Sequence, residues 1–266
     1  MSKNLHWDAV FPLLRLEGES ACSFLQGQTS ANIANALDGA LVQSCWLTTT
    51  GHLRALLEVR LDRNGADVLV LAGDSSALEQ GFSQVIFPTD RVRLRPMSKQ
   101  RRIQQLLTKS AALWLKPQSS LPRDWTSQPA NSQQLEYWRI DQGLAIGPGE
   151  LKANANPFEL GLSDRVDLNK GCYLGQEVVA KLARLGKVKQ QLRGWSSGTQ
   201  LAVRDTMSYN GELAATITSV LNTPHGSIGL ALVRRRHLDA EVLDGPSGQP
   251  VQLNSLPAFE SLPAGC

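Results

Sequence analysis

The segment Asn169–Gly186, NKGCYLGQEVVAKLARLG, is where residue types and spacing first suggest chemistry. Gln176–Leu185 has helical periodicity, with Val178, Val179 and Leu182 on one face and Glu177 set against Lys181 at i,i+4. Gly175 sits at the start of that helix, and Gly186 is a natural residue to follow its end. Cys172 therefore lies in a glycine-flanked loop running into a helix N-terminus, where free N–H groups and the macrodipole favour an anion. Between Arg165 and Arg193, seven Lys/Arg face two Asp/Glu, and Lys170 is two residues from the thiol. Both influences favour thiolate over thiol, the form that attacks electrophiles and binds metals. The plainer reading is a buried cysteine in a tight turn, with Gly171 and Gly175 there for backbone reasons. Both readings stand at this point.

The elements around the segment read as an α+β fold. A helix over Glu19–Gln26 packs Phe24 and Leu25 and stops at Gly27. Leu41–Leu47 and His52–Leu61 read as strands joined through Thr50 and Gly51, and Asn64-Gly65 is a hairpin signal leading to Ala66–Leu71. Ser75–Phe87 reads as a helix ended by Pro88, and Arg91–Arg95 as a strand. Residues 117–133 are rich in Pro and Ser and read as a loop or linker, after which Ser132 caps a helix over Gln133–Gln142. Met207–Tyr209, Glu212–Val220 and Ile228–Val233 are strand signals at hairpin spacing, and Gly-Pro-Ser-Gly at 245–248 separates two more, which points to a small β-barrel.

Composition bounds the function classes. The 266 residues are 42% hydrophobic and 19% charged, which excludes a solvated disordered chain, and a net charge of +3 does not by itself mark a nucleic-acid binder. The most apolar N-terminal stretch, Ala9–Leu14, is short and contains Pro12, unlike a secretory signal, and Glu17 and Glu19 argue against a transit peptide. Cys22, Cys45, Cys172 and Cys266 are separated by 23, 127 and 94 positions with no CxxC, so no zinc knuckle or iron–sulfur loop is written here. Reduced thiols of cytoplasmic type are expected, with Cys22 and Cys45 as small core residues. Gly143, Gly147 and Gly149 make no dinucleotide fingerprint, and His6, His52, His225 and His237 lack metal-ligand spacing.

KGCYLGQE at Lys170–Glu177 resembles the signature of the YgfZ-type folate-binding proteins, relatives of the glycine-cleavage (GcvT-like) aminomethyltransferases. FLQGQTS at Phe24–Ser30, TTTGHLRALLEVR at Thr48–Arg60, WRIDQGLAIG at Trp138–Gly147, the Pro157/Glu159 pair and TSVLNTPHGSIGLALVRR at Thr218–Arg235 match the same family in the same order. The resemblance implies three packed subdomains of the aminomethyltransferase fold around a pit for tetrahydrofolate or a related reduced folate. Its divisions would be 1–116 (α+β, folate-binding), a linker at 117–133, 134–192 (α+β, carrying the signature) and a β-barrel at 193–266. It implies a cytoplasmic role in assembling or maintaining iron–sulfur proteins, with an indirect effect on tRNA modification. Cys172 is carried over as the functional cysteine, with Lys170, Gly171, Tyr173, Gly175, Gln176 and Glu177 as its setting. No resident metal is implied, and one thiolate cannot hold a cluster without partner ligands.

For the folate, the resemblance puts Asp141 where the aminomethyltransferases use a Glu against the pterin N–H edge, a charge-assisted pairing. Asp is one methylene shorter; its plain reading is a solvated helix-end acid. Phe24, Gln26 and Gln28 complete the expected folate set, Phe24 as an apolar wall. The acidic pair that serves aminomethyl transfer is replaced by Ala55 and Leu56, and Glu58 comes two or three positions late, so turnover of that kind is not expected. The alternatives are a catalytic one-carbon transferase and an RNA-modification accessory module. Two basic runs, Arg91–Arg102 and Arg234–His237, read as solvated strand edges and loops, or as attractors for folate's glutamate tail, an acidic partner or tRNA.

Overall fold

The computed structural model describes residues 4–107 and 110–259. The chain divides into two compact units. The first comprises Met1–Thr48, Arg54–Leu135 and Arg165–Leu174; the second comprises Thr49–Leu53, Glu136–Asp164 and Gly175–Cys266.

In chain order the first unit carries β1 (Leu5–Glu17), α1 (Ala21–Gln28), β2 (Leu41–Leu47), β3 (Leu53–Asp62), β4 (Gly65–Gly73) and α2 (Ser75–Val85). It continues with β5 (Arg93–Leu94), β6 (Ser98–Gln105), β7 (Ala112–Leu115) and β8 (Gln128–Pro129). The sheet runs β2-β3-β4-β1-β6-β7, with β5 and β8 also on β1; β1–β4, β1–β5, β1–β6, β3–β4 and β6–β7 pair antiparallel and β1–β8 parallel. One face buries Leu14, Leu16, Leu57, Val59, Val68 and Val70 against Leu25 of α1 and against Leu78 and Phe82 of α2. Phe82 alone, fully buried, contributes about 2–3 kcal/mol of apolar transfer. Gly65 is required where β4 meets β1, since a Cβ there would lie 2.0 Å from the Leu16 carbonyl oxygen.

The central strand, β1, is absent from the sequence expectations because Pro12 interrupts its apolar run. Along His6–Leu13 it pairs with β6, and along Leu13–Glu17 with β4. Pro12 lies just before the β4 pairing begins, where its missing N–H costs that ladder nothing. Four of the six cations in the basic run Arg91–Arg102 have acidic partners, while Arg91, Arg93, Arg95 and Lys99 stay exposed, as on a solvated strand edge. Arg91 pairs with Glu19, Arg95 with Glu17, Arg101 with Asp8, and Arg102 is buried against Glu58. Of these pairs, Arg102–Glu58 is fully buried.

The helix expected over Ser75–Phe87 ends at Val85. Asp74 caps it by accepting the Ser76 and Ala77 N–H groups, and Phe87, preceding Pro88, is held extended. The helix expected over Gln133–Gln142 is α3 (Ser132–Asp141), and its cap is Asn131 rather than Ser132. The Asn131 side chain accepts the Gln134 N–H at 2.8 Å, while the Gln134 side chain accepts the Asn131 N–H at 3.0 Å, a reciprocal box.

The second unit adds α4 (Pro148–Lys152), α5 (Gln176–Leu185) and six strands: β9 (Gln190–Ser197), β10 (Thr206–Tyr209), β11 (Glu212–Thr223), β12 (Gly226–Arg234), β13 (Val242–Asp244) and β14 (Pro250–Asn254). The strands close into a barrel in the order β10-β11-β12-β9-β14-β13 around Trp195, Met207, Ile217, Val233 and Val251. Asn210 and Gly211, both with positive φ, make the tight turn between β10 and β11. Buried Arg139 of α3 is satisfied by Glu136, by the Leu144 carbonyl and by Glu150, which also accepts the Ser219 hydroxyl at 2.7 Å.

Candidate functional site

The loop that carries Cys172 is built by hydrogen bonds to the end of α1, about 140 positions earlier in the chain. Asp167 starts it: its side chain accepts the N–H groups of Asn169 (2.7 Å) and Lys170 (3.1 Å), and its own N–H donates to the Ser30 carbonyl. The Ser30 hydroxyl donates to the Arg165 carbonyl at 2.6 Å and accepts the Cys45 N–H at 2.9 Å. The Leu174 N–H donates to the Gly27 carbonyl at 3.1 Å, and Leu174 packs on the core. FLQGQTS and the first half of KGCYLGQE thus form one hydrogen-bonded unit.

Within this unit side chains alternate between interior and solvent. Lys170 is buried, and its ammonium donates to the Thr29 and Ala31 carbonyls at 2.7 Å each. It also lies 5.1 Å from the centre of the buried Tyr173 ring. Burial lowers the Lys170 pKa to about 8 and pushes the Tyr173 phenol up to about 12. Gly171 and Cys172, between them, are exposed. The thiol whose ionisation Lys170 assists is Cys22, which burial otherwise pushes up; Lys170 itself is directed at main-chain carbonyls. Its role at the loop is to anchor it.

The two glycines of the motif differ. Gly175 has φ +81° and precedes the first residue of α5, so its conformation calls for glycine. Gly171 has no positive φ, and a Cβ there would meet nothing within 4 Å. The plainer sequence reading, glycine for backbone reasons, therefore holds for Gly175 and not for Gly171. Gln176 opens α5 and Glu177 places a carboxylate in its first turn, where the dipole favours it; Gly186 ends the helix at φ +56°.

Of the residues expected to meet folate, Gln26 is fully engaged. Its amide nitrogen donates to Asn32, and its oxygen accepts the Ile33 and Ala34 N–H groups, so it shapes the loop after α1. Phe24 is half-buried with its ring 5.4 Å from that of Phe82, edge to face, and Gln28 ends α1 half-buried. Asp141 is exposed at the end of α3 and accepts a hydrogen bond from the Gln142 amide. Asp141, Gly175, Gln176 and Glu177 belong to the second unit; the other expected site residues belong to the first. Ala55 and Leu56 are fully buried, with Ala55 packed where a Cβ on Gly73 would approach to 2.7 Å. Glu58 is committed to a buried pair with Arg102, supported by Trp114 and Gln43. Among the described residues no group of three or more His, Cys, Asp or Glu is arranged to hold a metal ion. Ser30 and Asp167, the organisers of the loop, were not singled out in the sequence, although the spacing of Asp167 to Asn169 and Lys170 is an Asx-turn signal.

The glycine cleavage system aminomethyltransferase T from Bartonella henselae superposes on this chain with a TM-score of 0.73, covering 97% of this chain and 87% of its own at 14% identity. The fold is that of aminomethyltransferase T. A chloroplastic protein of Arabidopsis thaliana named "Putative transferase" is 21% identical over 276 aligned positions, 85% of this chain. The chain spans 64% of that relative's length. No protein-family model matches. Among the described residues, no helix is long and apolar enough to cross a membrane.

Proposed function

We propose that this chain is a folate-binding accessory protein of the YgfZ type, which binds tetrahydrofolate or a related reduced folate and presents Cys172 to iron–sulfur proteins during their assembly or maintenance in the cytoplasm. Effects on tRNA modification follow indirectly, through iron–sulfur enzymes. The observation that carries this reading is the exposure of Cys172 on a loop whose neighbours, Lys170 and Tyr173, are buried anchors. A thiol needed only for packing would face inward, as Cys45 does.

For the reduced folate the support is the aminomethyltransferase T fold and one exposed acid. The Asp141 carboxylate is exposed and suited to the adjacent N–H donors of a pterin edge. Phe24 and Gln26 enter this reading by the resemblance alone, since Phe24 packs edge to face on Phe82 and Gln26 holds the loop after α1 in shape. Tetrahydrofolate supplies a pair of amines able to carry a one-carbon unit; this chain's residues bind and orient it. Catalytic aminomethyl transfer is the weaker reading, because Ala55 and Leu56 put sealed hydrocarbon where the acidic pair is needed. Direct tRNA binding is likewise a lesser reading, since four of the six cations in Arg91–Arg102 are paired with acids.

The test is thermal unfolding with tetrahydrofolate under reducing conditions. At about 100 times its Kd the ligand adds about 2.7 kcal/mol, a rise of several degrees in Tm. Asp141→Asn should reduce that rise without lowering the Tm of the free protein. An unchanged Tm at millimolar tetrahydrofolate contradicts the folate assignment.

A further inference from the structure

A cleft of about 420 Å³ lies wholly within the second unit, between α4 and the barrel strands β11 and β12, and has no part in the function proposed above. Three local features shape it. Gly149 lets α4 lie flush on β11, since a Cβ there would stand 1.9 Å from the Thr218 carbonyl oxygen. β11 shifts register between Ile217 and Ser219, a bulge of the kind that re-aims side chains. The third feature is the turn 202–205, closed by the Asp205 N–H donating to the Ala202 carbonyl at 3.1 Å, while the Asp205 side chain accepts the Ala202 N–H at 2.8 Å. Arg204 holds the third position of that turn at φ +76°, a conformation that suits Gly or Asn and strains an arginine. Two bonds to β11 enforce it: the Arg204 N–H donates to the Ile217 carbonyl and the Ile217 N–H to the Asp205 carbonyl, each at 2.9 Å. Lys152, at the end of α4, and Arg204 are exposed, and both line the cleft. Among the described residues no acid lines it and neither cation has an ion-pair partner; Glu150 is committed to Arg139 and the Ser219 hydroxyl, and Asp205 to its turn.

We propose that this cleft binds the phosphate monoester of a small polyol, its phosphate held by Arg204 and Lys152. Backbone strain of this sort persists only where the surroundings enforce it, and it clusters at ligand sites. The two cations match the charge of about −2 that a phosphate monoester carries near neutral pH. A guanidinium fork meets two phosphate oxygens and an ammonium suits the third. The volume falls in the range of small-ligand sites, about 300–1,000 Å³, which leaves room for a carbon skeleton beside the phosphate. Thr216 and Gln190 line the same space and suit the hydroxyls of that skeleton, with Ile217 and Leu232 as its apolar floor. A dicarboxylate of equal charge fits less well, because its hydrocarbon middle offers nothing to Thr216 and Gln190. A nucleic-acid track fits less well too, because no Phe, Tyr or Trp is there for bases to stack on. This site goes beyond the function proposed above and does not rest on it.

The experiment is calorimetric titration of the full chain with α-glycerophosphate, glucose 6-phosphate, inorganic phosphate and succinate, with the Tm of each variant measured alongside. The better of the two esters should bind about tenfold or more tighter than inorganic phosphate or succinate, and more weakly as salt rises. Arg204→Gly should lower that affinity about tenfold or more at a Tm equal to or above the wild type's, because relief of the positive φ offsets the freedom glycine adds to the unfolded chain. Lys152→Gln should weaken the ester in the same way at unchanged Tm, and it carries the test if the glycine variant fails to fold. Either folded variant binding the ester as the wild type does overturns the proposal. So does an Arg204→Gly chain less stable than the wild type, which would mean that the arginine serves the fold. Inorganic phosphate or succinate matching the better ester, or no ester binding at millimolar concentration, overturns it as well.

Discussion

The Lys170 ammonium lies 2.7 Å from both the Thr29 and the Ala31 carbonyl oxygens, joining the Cys172 loop to the end of α1 through a buried charge. Replacing it with Met leaves both carbonyls without this donor and should cost on the order of 2–3 kcal/mol. The pH dependence has a definite sign. Burial lowers this lysine from 10.5 to about 8, so between those values the unfolded chain holds more protons and the folded wild type gains stability as pH rises. Lys170→Met lacks that gain. Urea midpoints at pH 7.5 and pH 10 should therefore show the wild type's lead over the variant widening; a shrinking lead contradicts the assignment.

Glu58 and Arg102 form the second buried charge arrangement, on β3 and β6, with Arg102 Nη2 2.7 Å from Glu58 Oε1 and the Trp114 indole donating to the same carboxylate at 2.9 Å. Burial pushes the Glu58 carboxyl up, but Arg102, Trp114 and Gln43 outweigh it and hold it below the usual glutamate range. Its contribution to stability is therefore present above the ordinary glutamate value and is lost as pH falls through the lower folded one. Glu58→Gln or Arg102→Met should each cost about 3–5 kcal/mol, and the double change Glu58→Leu/Arg102→Met should recover much of that. Denaturant unfolding of the three variants checks it; a single variant as stable as the wild type would show the pair to be dispensable.

Thiol accessibility gives a third prediction. In a Cys266→Ser background, chosen because Cys266 lies outside the described residues, iodoacetamide at neutral pH should label Cys172 first. Cys22, half-buried and pushed up by burial against the pull of Lys170, should follow, and Cys45 should stay protected until the protein unfolds. Peptide mapping over time reads the order. Cys45 reacting as fast as Cys172 would mean that the loop is not held as described.

Where local pattern decides structure, the sequence was readable. β2 and α5 fall on Leu41–Leu47 and Gln176–Leu185 as expected, because alternation, amphipathicity and bounding glycines all lie inside those segments. β1 and β6 were not readable. Pro12 masks one, and the other, SKQRRIQQ, is polar; its burial depends on Glu58, 44 positions away, neutralising Arg102. The same limit applies to the site. Cys172 and its glycines announce themselves, whereas the inward turn of Lys170 is set by main-chain carbonyls that no side-chain pattern encodes. Gln26, expected to face a ligand, is consumed by the loop after α1 for the same reason.

The central claim is that the exposed sulfur of Cys172 does work that its anchored neighbours only support. Cells lacking the protein should be complemented with the wild type and with Cys172→Ser, and the activity of a [4Fe–4S] enzyme measured alongside the Tm of each purified chain. The account predicts equal Tm values, because the side chain is exposed, and restoration of enzyme activity by the wild type alone. Full restoration by a folded Cys172→Ser protein would contradict it.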